Sequence, residues 1–249
     1  MDSLGSRMKG YERVSNISLT NRTPVIVRVD GRCFHSLTKI WGAEKPFDKG
    51  LTAIMHETMK VVAKDLGAVL AYRQSDEISF LLLDTKRLTT QPIFRNRLQK
   101  ICSIAASATT AAFITTFLTA VAMRQSFIPN LRVARKLPNF DSRVFNLPID
   151  EVANYFLWRC MACKRNSLFM FALTVASPSG LNGLNELQQH EILYQHGKDW
   201  ERDIDPAHKN GSFYIANTKG KPFRFEVAPS FIEVDSIVRE AIEGYDEDR

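Results

Sequence analysis

The sequence predicts an α+β fold of the ferredoxin-like type, and three observations support this prediction. The predicted elements of residues 1–147 follow the order strand, helix, strand, strand, helix, strand, which is the split βαβ order. The two middle strands are separated by only a short turn, as in an antiparallel hairpin. From Pro148 onwards the pattern becomes mainly helical and ends in a small β-hairpin and an acidic tail. We therefore predict an α+β domain at 1–147 and a helical region at 148–249 that packs on it.

The first strand, helix and hairpin are predicted from local residue patterns. Val25–Val29 is an apolar run typical of a strand buried on both faces. Asp48 is a good N-cap for the helix that follows, and Gly67 provides its C-terminal stop. That helix has apolar residues at helical spacing: Leu51, Ile54, Met55, Met59, Val62 and Leu66. Ala68–Tyr72 and Ile78–Leu83 are then the two strands of the hairpin.

A long apolar helix is predicted after the hairpin. Ile101–Met123 has 23 residues without a charge, which is long enough to cross a bilayer. The segment is dominated by Ala, Ser and Thr rather than by Leu, and Arg95–Lys100 continues the same helical pattern. We therefore expect a central helix buried against the sheet and no membrane contact, with a membrane span as the alternative. Ser142–Leu147 supplies the next strand.

The second half is predicted as helices followed by a hairpin. Ile149–Ala176 is helical for much of its length, and Ser177–Gly180 breaks the pattern. Leu184–His196 is another helix, and Ser212–Asn217 and Phe223–Val227 are two short strands.

Composition and charge restrict the class of protein and of partner. An apolar content of 45% is that of a globular protein and excludes a disordered one. The net charge is +6, but the last 17 residues hold seven acidic and two basic residues, so the rest carries about +11. Basic stretches occur at Lys86–Lys100 and Arg124–Arg143. This bias favours a polyanionic partner, and a merely basic solvated surface is the alternative.

The cysteines favour a reducing compartment. Cys33, Cys102, Cys160 and Cys163 are too few for a disulfide framework, and no secretory signal pattern precedes them, so we expect a cytoplasmic protein. The Cys160–Cys163 pair has CxxC spacing, but a single pair is a weak signal for zinc, and two buried helix residues are the favoured interpretation.

Acidic residues stand at the ends of strands that the split βαβ order makes neighbours. Asp30 follows the first strand, and Asp76 and Glu77 lie in the hairpin turn. We expect these carboxylates to converge without other protein charge to neutralise them. Two Mg²⁺ ions bound to substrate phosphates would neutralise them and could support nucleotidyl transfer. The alternative is two ordinary turns, since Asp-Gly and Ser-Asp are common in turns.

Residues beside the acidic positions fit a phosphate ligand. Gly31 allows close backbone approach, and Arg32 and His35 offer donors in the same loop. Lys45 precedes the helix that starts near Asp48, and a helix N-terminus favours anions.

Several blocks resemble the tRNA-His guanylyltransferase family. Val29-Asp-Gly-Arg-Cys-Phe-His35, Glu44-Lys-Pro-Phe-Asp48 and Tyr72-Arg-Gln-Ser-Asp-Glu77 are similar to that family in order and spacing. Asn139–Arg143 and Tyr155–Arg159 are similar to its later blocks. The resemblance implies an enzyme that adds nucleotides to the 5′ end of tRNA in the 3′-to-5′ direction. It also implies that 1–147 is a palm-like catalytic domain of the polymerase type.

The resemblance assigns roles by position. Asp30 and Asp76 would ligate two Mg²⁺ ions together with the backbone carbonyl of Gly31, and Glu77 would be a further essential carboxylate. The nucleotide and its triphosphate would be held by Asp30, Gly31, Arg32, Cys33, Phe34, His35, Lys45, Ser75 and Asp76. ATP or GTP would activate a 5′-monophosphate, the 3′-hydroxyl of the incoming GTP would attack it, and pyrophosphate would then be removed. The family also implies a homo-oligomer, commonly a tetramer.

One block departs from the tRNA-His-specific pattern. Where those members have His-Ile-Asn-Asn, this chain has Lys164-Arg165-Asn166-Ser167. The departure resembles the guanylyltransferase-like branch, which repairs 5′ ends of various tRNAs. Residues expected to contact tRNA are Arg143, Arg159, Lys164, Arg165 and Asn166, and a solvated helix face is the alternative for the last three.

Two other function classes remain compatible with the residues. A nucleotide cyclase or another nucleotidyltransferase could use the same acidic residues without RNA. A non-catalytic RNA-binding module could keep the fold, although the three intact carboxylates argue against it.

Overall fold

The computed structural model describes residues 3–122, 137–216, 224–228 and 230–247. Six antiparallel strands form one sheet in the order β4-β1-β3-β2-β5-β6. The strands are β1 Val25–Gly31, β2 Leu70–Gln74, β3 Glu77–Leu82, β4 Phe140–Asn146, β5 Ser212–Ile215 and β6 Arg224–Glu226. The predicted adjacency of the first strand and the second hairpin strand is confirmed, because β1 pairs with β3.

Ten helices connect and cover the sheet within the described ranges. They are α1 Leu4–Arg13, α2 Phe34–Trp41, α3 Lys49–Leu66, α4 Leu98–Ala122, α5 Val152–Ala172, α6 Pro178–Leu181, α7 Glu186–Gln195, α8 Trp200–Asp203, α9 Pro206–Asn210 and α10 Phe231–Glu247. The limits of α3 follow the prediction, since Asp48 accepts from the Leu51 amide and Gly67 ends the helix at φ 65°.

The C-terminal hairpin belongs to the same sheet as the first four strands. β5 pairs with β2, with Tyr72 opposite Phe213, and β6 extends the sheet by one more strand. The sequence patterns predicted the hairpin but not its attachment to β2. Residues of the second half therefore take part directly in the sheet of the first half.

The two faces of the sheet carry separate hydrophobic cores. Successive side chains of a strand point to opposite faces, so Val27 and Phe80 pack with α3 and α4, whereas Ile26 and Leu81 pack on the other face. The second core includes Phe156 of α5 and residues of α10. The acidic C-terminal segment, expected as a tail, thus forms a helix that closes this core.

The long helix α4 packs on the sheet along one face only. Its fully buried residues recur every four positions: Ile101, Ala105, Thr109 and Phe113. The helix is long and apolar enough to cross a membrane. Only 22% of the residues in its most apolar 18-residue stretch are buried inside the protein. The expectation of a helix buried against the sheet is therefore correct only for the face that carries the four buried residues. Ser103, Ser107 and Thr115, on other faces of the helix, are exposed.

Local predictions failed at two other places. Residues 95–97 are not part of α4, because Ile93–Asn96 is a 3₁₀ turn in which Phe94 and Arg95 have positive φ. The loop expected up to His35 is shorter, since α2 begins at Phe34. Cys160 and Cys163 are both buried in α5, as favoured. Met123, Asn217, Phe223 and most of the basic stretch Arg124–Arg143 lie outside the described residues.

Candidate active site

The end of β1 meets the turn between β2 and β3. Asp30 lies opposite Glu77 on one side and opposite Asp141 of β4 on the other. The amide of Gly31 donates to the backbone carbonyl of Asp76 at 3.2 Å. The turn itself consists of Ser75 and Asp76, with Ser75 at φ 48°. The predicted convergence of Asp30 and Asp76 is therefore confirmed.

Gly31 brings the backbone of β1 against the Asp76 side chain. A Cβ at this position would lie 2.6 Å from Oδ2 of Asp76 and would also collide with the Phe34 ring. No other residue fits here without displacing one of them. Gly31 thus allows the backbone of β1 to lie directly against the Asp76 carboxylate.

Asp30 and Asp76 are carboxylates in an electrostatically unfavourable position. Burial, followed by the charge of Asp30, raises the pKa of Asp76 to about 6. Burial and the charge of Asp141 raise the pKa of Asp30, and Arg143 and Arg28 act in the opposite direction. Both carboxylates would be stabilised in their ionised form by a cation bound between them.

Glu77 is neutralised by Arg159, so the expectation that no protein charge neutralises the converging carboxylates is wrong for Glu77. Arg159 donates from Nε and Nη2 to the two carboxylate oxygens of Glu77, both at 2.7 Å. Gln74 adds a third donor at 3.2 Å, and both members of the pair are buried. Arg159 also lies 4.4 Å from the Trp158 ring centroid. The guanidinium expected at the tRNA surface is thus bound to Glu77 beneath the sheet.

A cleft of about 330 Å³ opens beside Asp76. Its volume is that of a small ligand site. Five of the residues proposed from sequence line it: His35, Lys45, Ser75, Asp76 and Asn166. Its other walls include Phe47, Thr52, Met55, Arg73, Phe169, Met170 and His208.

Several lining residues had no sequence signal of their own. Phe47 and His208 stack at 4.6 Å, and Nε2 of His208 lies 3.0 Å from Oγ1 of Thr52. These contacts join residues more than 150 positions apart, so no local pattern predicts them. Arg73 could have been singled out, because it is a cation that directly follows the apolar run Ala68–Tyr72.

The remaining residues expected to hold the nucleotide lie at the rim or below the surface. Arg32 and Cys33 are exposed between β1 and α2, whereas the Phe34 side chain is buried among Phe113 and Phe140. Only the backbone of Phe34 can therefore touch a ligand. The N-terminus of α3 already holds a carboxylate, because Asp48 accepts from the amide of Leu51 and from that of Glu44 in the preceding loop.

The tRNAHis guanylyltransferase family model matches residues 5–148, more than half of the chain. The chain belongs to this family. The Schizosaccharomyces pombe tRNA(His) guanylyltransferase is 30% identical over 84% of this chain and 78% of its own length. The enzyme of Eremothecium gossypii is 32% identical over 87% and 92%. The chain is therefore a nucleotidyltransferase of the guanylyltransferase family.

Solved structures of a bacterial tRNA(His) guanylyltransferase-like protein are similar over nearly the whole chain. Its complex with ATP is 38% identical, covers 98% of this chain and 99% of that chain, and has a TM-score of 0.81. Its complex with GTP is 37% identical over the same shares, with a TM-score of 0.75. The Saccharomyces cerevisiae enzyme, at 22% identity and a TM-score of 0.70, shares the fold.

The residues proposed from the sequence to contact tRNA lie in different parts of the structure. Arg143 is exposed on β4, opposite Arg28 and 3.9 Å from Asp141. Arg165 is exposed on α5, and Lys164 is half-buried there. Asn166 lines the cleft instead. Arg143 is thus the member of this set that lies beside the acidic pair.

Proposed function

We propose that this guanylyltransferase-family chain is a template-dependent 3′-to-5′ nucleotidyltransferase that adds GMP or other nucleotides to the 5′ end of tRNA. The convergence of Asp30 and Asp76 at adjacent strand ends, beside a nucleotide-sized cleft, carries this proposal. The order β4-β1-β3-β2 is that of a split βαβ sheet, which supports a palm of the polymerase type.

Two Mg²⁺ ions fit the donor set of this chain. Asp30, Asp76 and the backbone carbonyl of Gly31 would hold them, and the raised pKa values of both carboxylates support a cation as their missing partner. The ions would activate the attacking hydroxyl and stabilise the leaving oxygen. The protein's own contribution is to fix these oxygens on a sheet end that the Gly31–Asp76 hydrogen bond holds together.

The cleft would bind the nucleoside triphosphate. His35, Lys45 and Ser75 would contact its phosphates near Asp76, and the base would lie against the aromatic and thioether walls. Binding ATP or GTP here serves the activation of the 5′ phosphate, and GTP is also the nucleotide that is added. Glu77 acts through Arg159 by fixing α5 against the sheet, so it is a positioning residue.

The RNA substrate would approach from the side of Arg28, Arg143 and the exposed Trp158. Arg28 lies 5.9 Å from the Trp158 ring centroid. The charges of Arg28 and Arg143 both lower the pKa of Asp30. Such cations with an exposed aromatic ring suit a nucleic-acid end. The altered block at Lys164–Ser167 supports repair of several tRNAs over dedicated tRNA-His maturation. Cytoplasmic location and a tetramer are part of the same proposal.

Incorporation of labelled GTP into 5′-truncated tRNA tests the proposed activity. With Mg²⁺ and ATP, label should enter the RNA 5′ end, and Asp30→Asn and Asp76→Asn should each reduce the rate by more than about 100-fold, since even outer-shell partners of a metal contribute about 10- to 100-fold. Asp141→Asn, which removes an exposed carboxylate beside the same strand, should stay within a few-fold of wild type. No incorporation, or incorporation that Asp76→Asn leaves intact, would refute the proposal.

A further inference from the structure

Arg73 of β2 is a buried arginine for which the described residues offer no carboxylate partner. Its side chain is 2% exposed, Nη1 donates to the Ser75 carbonyl at 3.3 Å, and the buried Nε–H has no acceptor. The ionisable groups that interact with Arg73 are the Cys163 thiol and the Tyr72 phenol. Burial raises the pKa of Cys163 to about 11 and that of Tyr72 well above its usual value, so both are neutral at pH 7.

A buried guanidinium that has no carboxylate partner and one N–H group without an acceptor destabilises the free protein. Arg73 lines the cleft beside Asp76, so a ligand bound there can supply acceptors to the guanidinium. The proposed nucleotide has two groups of acceptors, its phosphates and the edge of its base. The surroundings of Arg73 decide between them.

The neighbours of Arg73 include an aromatic wall that is suited to a base. The guanidinium lies close enough to His208 and His56 to lower the pKa of both. His208 stacks on Phe47 and lines the cleft with Met55. Arg73 also lies opposite Ser212 in the sheet, and the Ser212 hydroxyl is 3.1 Å from Nε2 of His56. The guanidinium thus adjoins the Ser75–Asp76 turn through its bond to the Ser75 carbonyl, and it shares the cleft with the stacked Phe47 and His208 rings, against which a flat base can pack.

We infer that Arg73 is a specificity-determining residue that donates to O6 and N7 of a guanine base in the cleft, an inference that rests on the proposed function. Guanidinium donors match these two adjacent acceptors. Adenine keeps N7 but has an amino group in place of O6, which would face the donors of Arg73 with another donor. The cleft of this chain therefore prefers GTP to ATP, and Arg73 is the source of the preference.

Equilibrium binding of GTP, ITP, ATP, 7-deaza-GTP and inorganic tripolyphosphate, each with Mg²⁺, tests the inference. Arg73→Gln should weaken GTP and ITP roughly 10- to 100-fold, the effect of one lost bidentate pair. ATP should weaken by less than about 3-fold and tripolyphosphate not at all. Wild type should bind 7-deaza-GTP, which lacks N7, less tightly than GTP, and Arg73→Gln should remove that difference. Lys45→Gln removes the same charge from another wall of the cleft and provides the pattern of a phosphate contact, an equal loss for all ligands.

Three results would overturn the inference. An equal loss of GTP, ATP and tripolyphosphate in Arg73→Gln would make Arg73 a phosphate ligand, and an unchanged GTP-to-ATP ratio with normal affinities would make it structural. Failure of wild type to bind any nucleotide would instead refute the proposed function, and the inference with it. The melting temperature without ligand checks the fold, and Arg73→Gln should melt at or above the wild-type temperature because it removes an unpaired buried charge.

Discussion

Asp76 and Glu77 are neighbours in the sequence, but their carboxylates lie in opposite electrostatic surroundings. Asp76 faces Asp30 and has a pKa raised to about 6. Glu77 receives two hydrogen bonds from Arg159 and one from Gln74. One carboxylate therefore lacks a cation that a substrate complex could bring, and the other obtains its cation from α5. Asp76 lies in the turn and Glu77 is the first residue of β3, which is how two consecutive residues can have different surroundings.

Under the proposed function, this contrast divides the acidic cluster into a part for chemistry and a part for structure. If a protein cation already neutralised Asp76, binding Mg²⁺ there would relieve no electrostatic repulsion. A protein that left Glu77 without Arg159 would carry a third buried negative charge beside the first two. The pairing of Glu77 thus reduces the repulsion at the strand ends, where Asp30 also faces the charge of Asp141.

The largest expected effect on stability comes from breaking the Glu77–Arg159 pair. Glu77→Gln or Arg159→Met alone leaves one buried charge without its partner, so each should reduce the free energy of unfolding by about 3–5 kcal/mol. The double variant should lose clearly less than the sum of the two. Urea unfolding measures all three. As a control, Asp203→Asn breaks the exposed Arg202–Asp203 ion pair, which has a similar length, and should leave the free energy of unfolding near that of wild type. If breaking the exposed pair and breaking the buried pair cost the same free energy, burial does not distinguish them.

Asp76→Asn should have the opposite sign. The variant removes a buried carboxylate from beside Asp30, so the metal-free protein should gain up to about 3 kcal/mol at pH 7, at 1.36 kcal/mol per pKa unit. Unfolding in EDTA measures this gain, and Mg²⁺ should stabilise wild type more than the variant. A destabilised Asp76→Asn protein would mean that Asp76, like Glu77, is held by the fold.

The pH dependence of stability should show the same difference. The pKa of Asp76 is about 6 in the folded protein against an ordinary value of 3.8, so between these pH values the folded state binds the extra proton and stability falls as the pH rises. His56, with its pKa lowered to about 4, and His208 act in the opposite direction. The measured quantity is therefore the gap between wild type and Asp76→Asn, which should be full above pH 6 and close by about pH 4. A gap that is constant with pH would assign the effect of the substitution to something other than ionisation.

The parts of this arrangement that local chemistry determines could be predicted from the sequence. Asp48 and Gly67 mark the ends of α3, and the strand order brings Asp30 to Asp76. The partner of Glu77 lies 82 residues away on α5, and nothing in either segment specifies that contact. Helix α2 was missed because its N-cap, Cys33, makes no capping hydrogen bond. The buried state of Arg73 likewise depends on packing against residues far along the chain.

Arg143 provides the smallest expected effect on the fold and the clearest separation of fold from substrate binding. Its side chain is half-exposed and lies 3.9 Å from Asp141, so Arg143→Gln should change the free energy of unfolding by less than about 0.5 kcal/mol. If Arg143 contacts a phosphate of tRNA, the slope of log affinity against log salt should fall by about 1. Arg239→Gln on the acidic helix α10 is the matched control and should leave that slope unchanged. If the salt slope is unchanged in Arg143→Gln and the protein loses stability, Arg143 belongs to the structural part of the cluster. A cation that contacts RNA affects affinity, whereas a buried cation such as Arg159 affects folding.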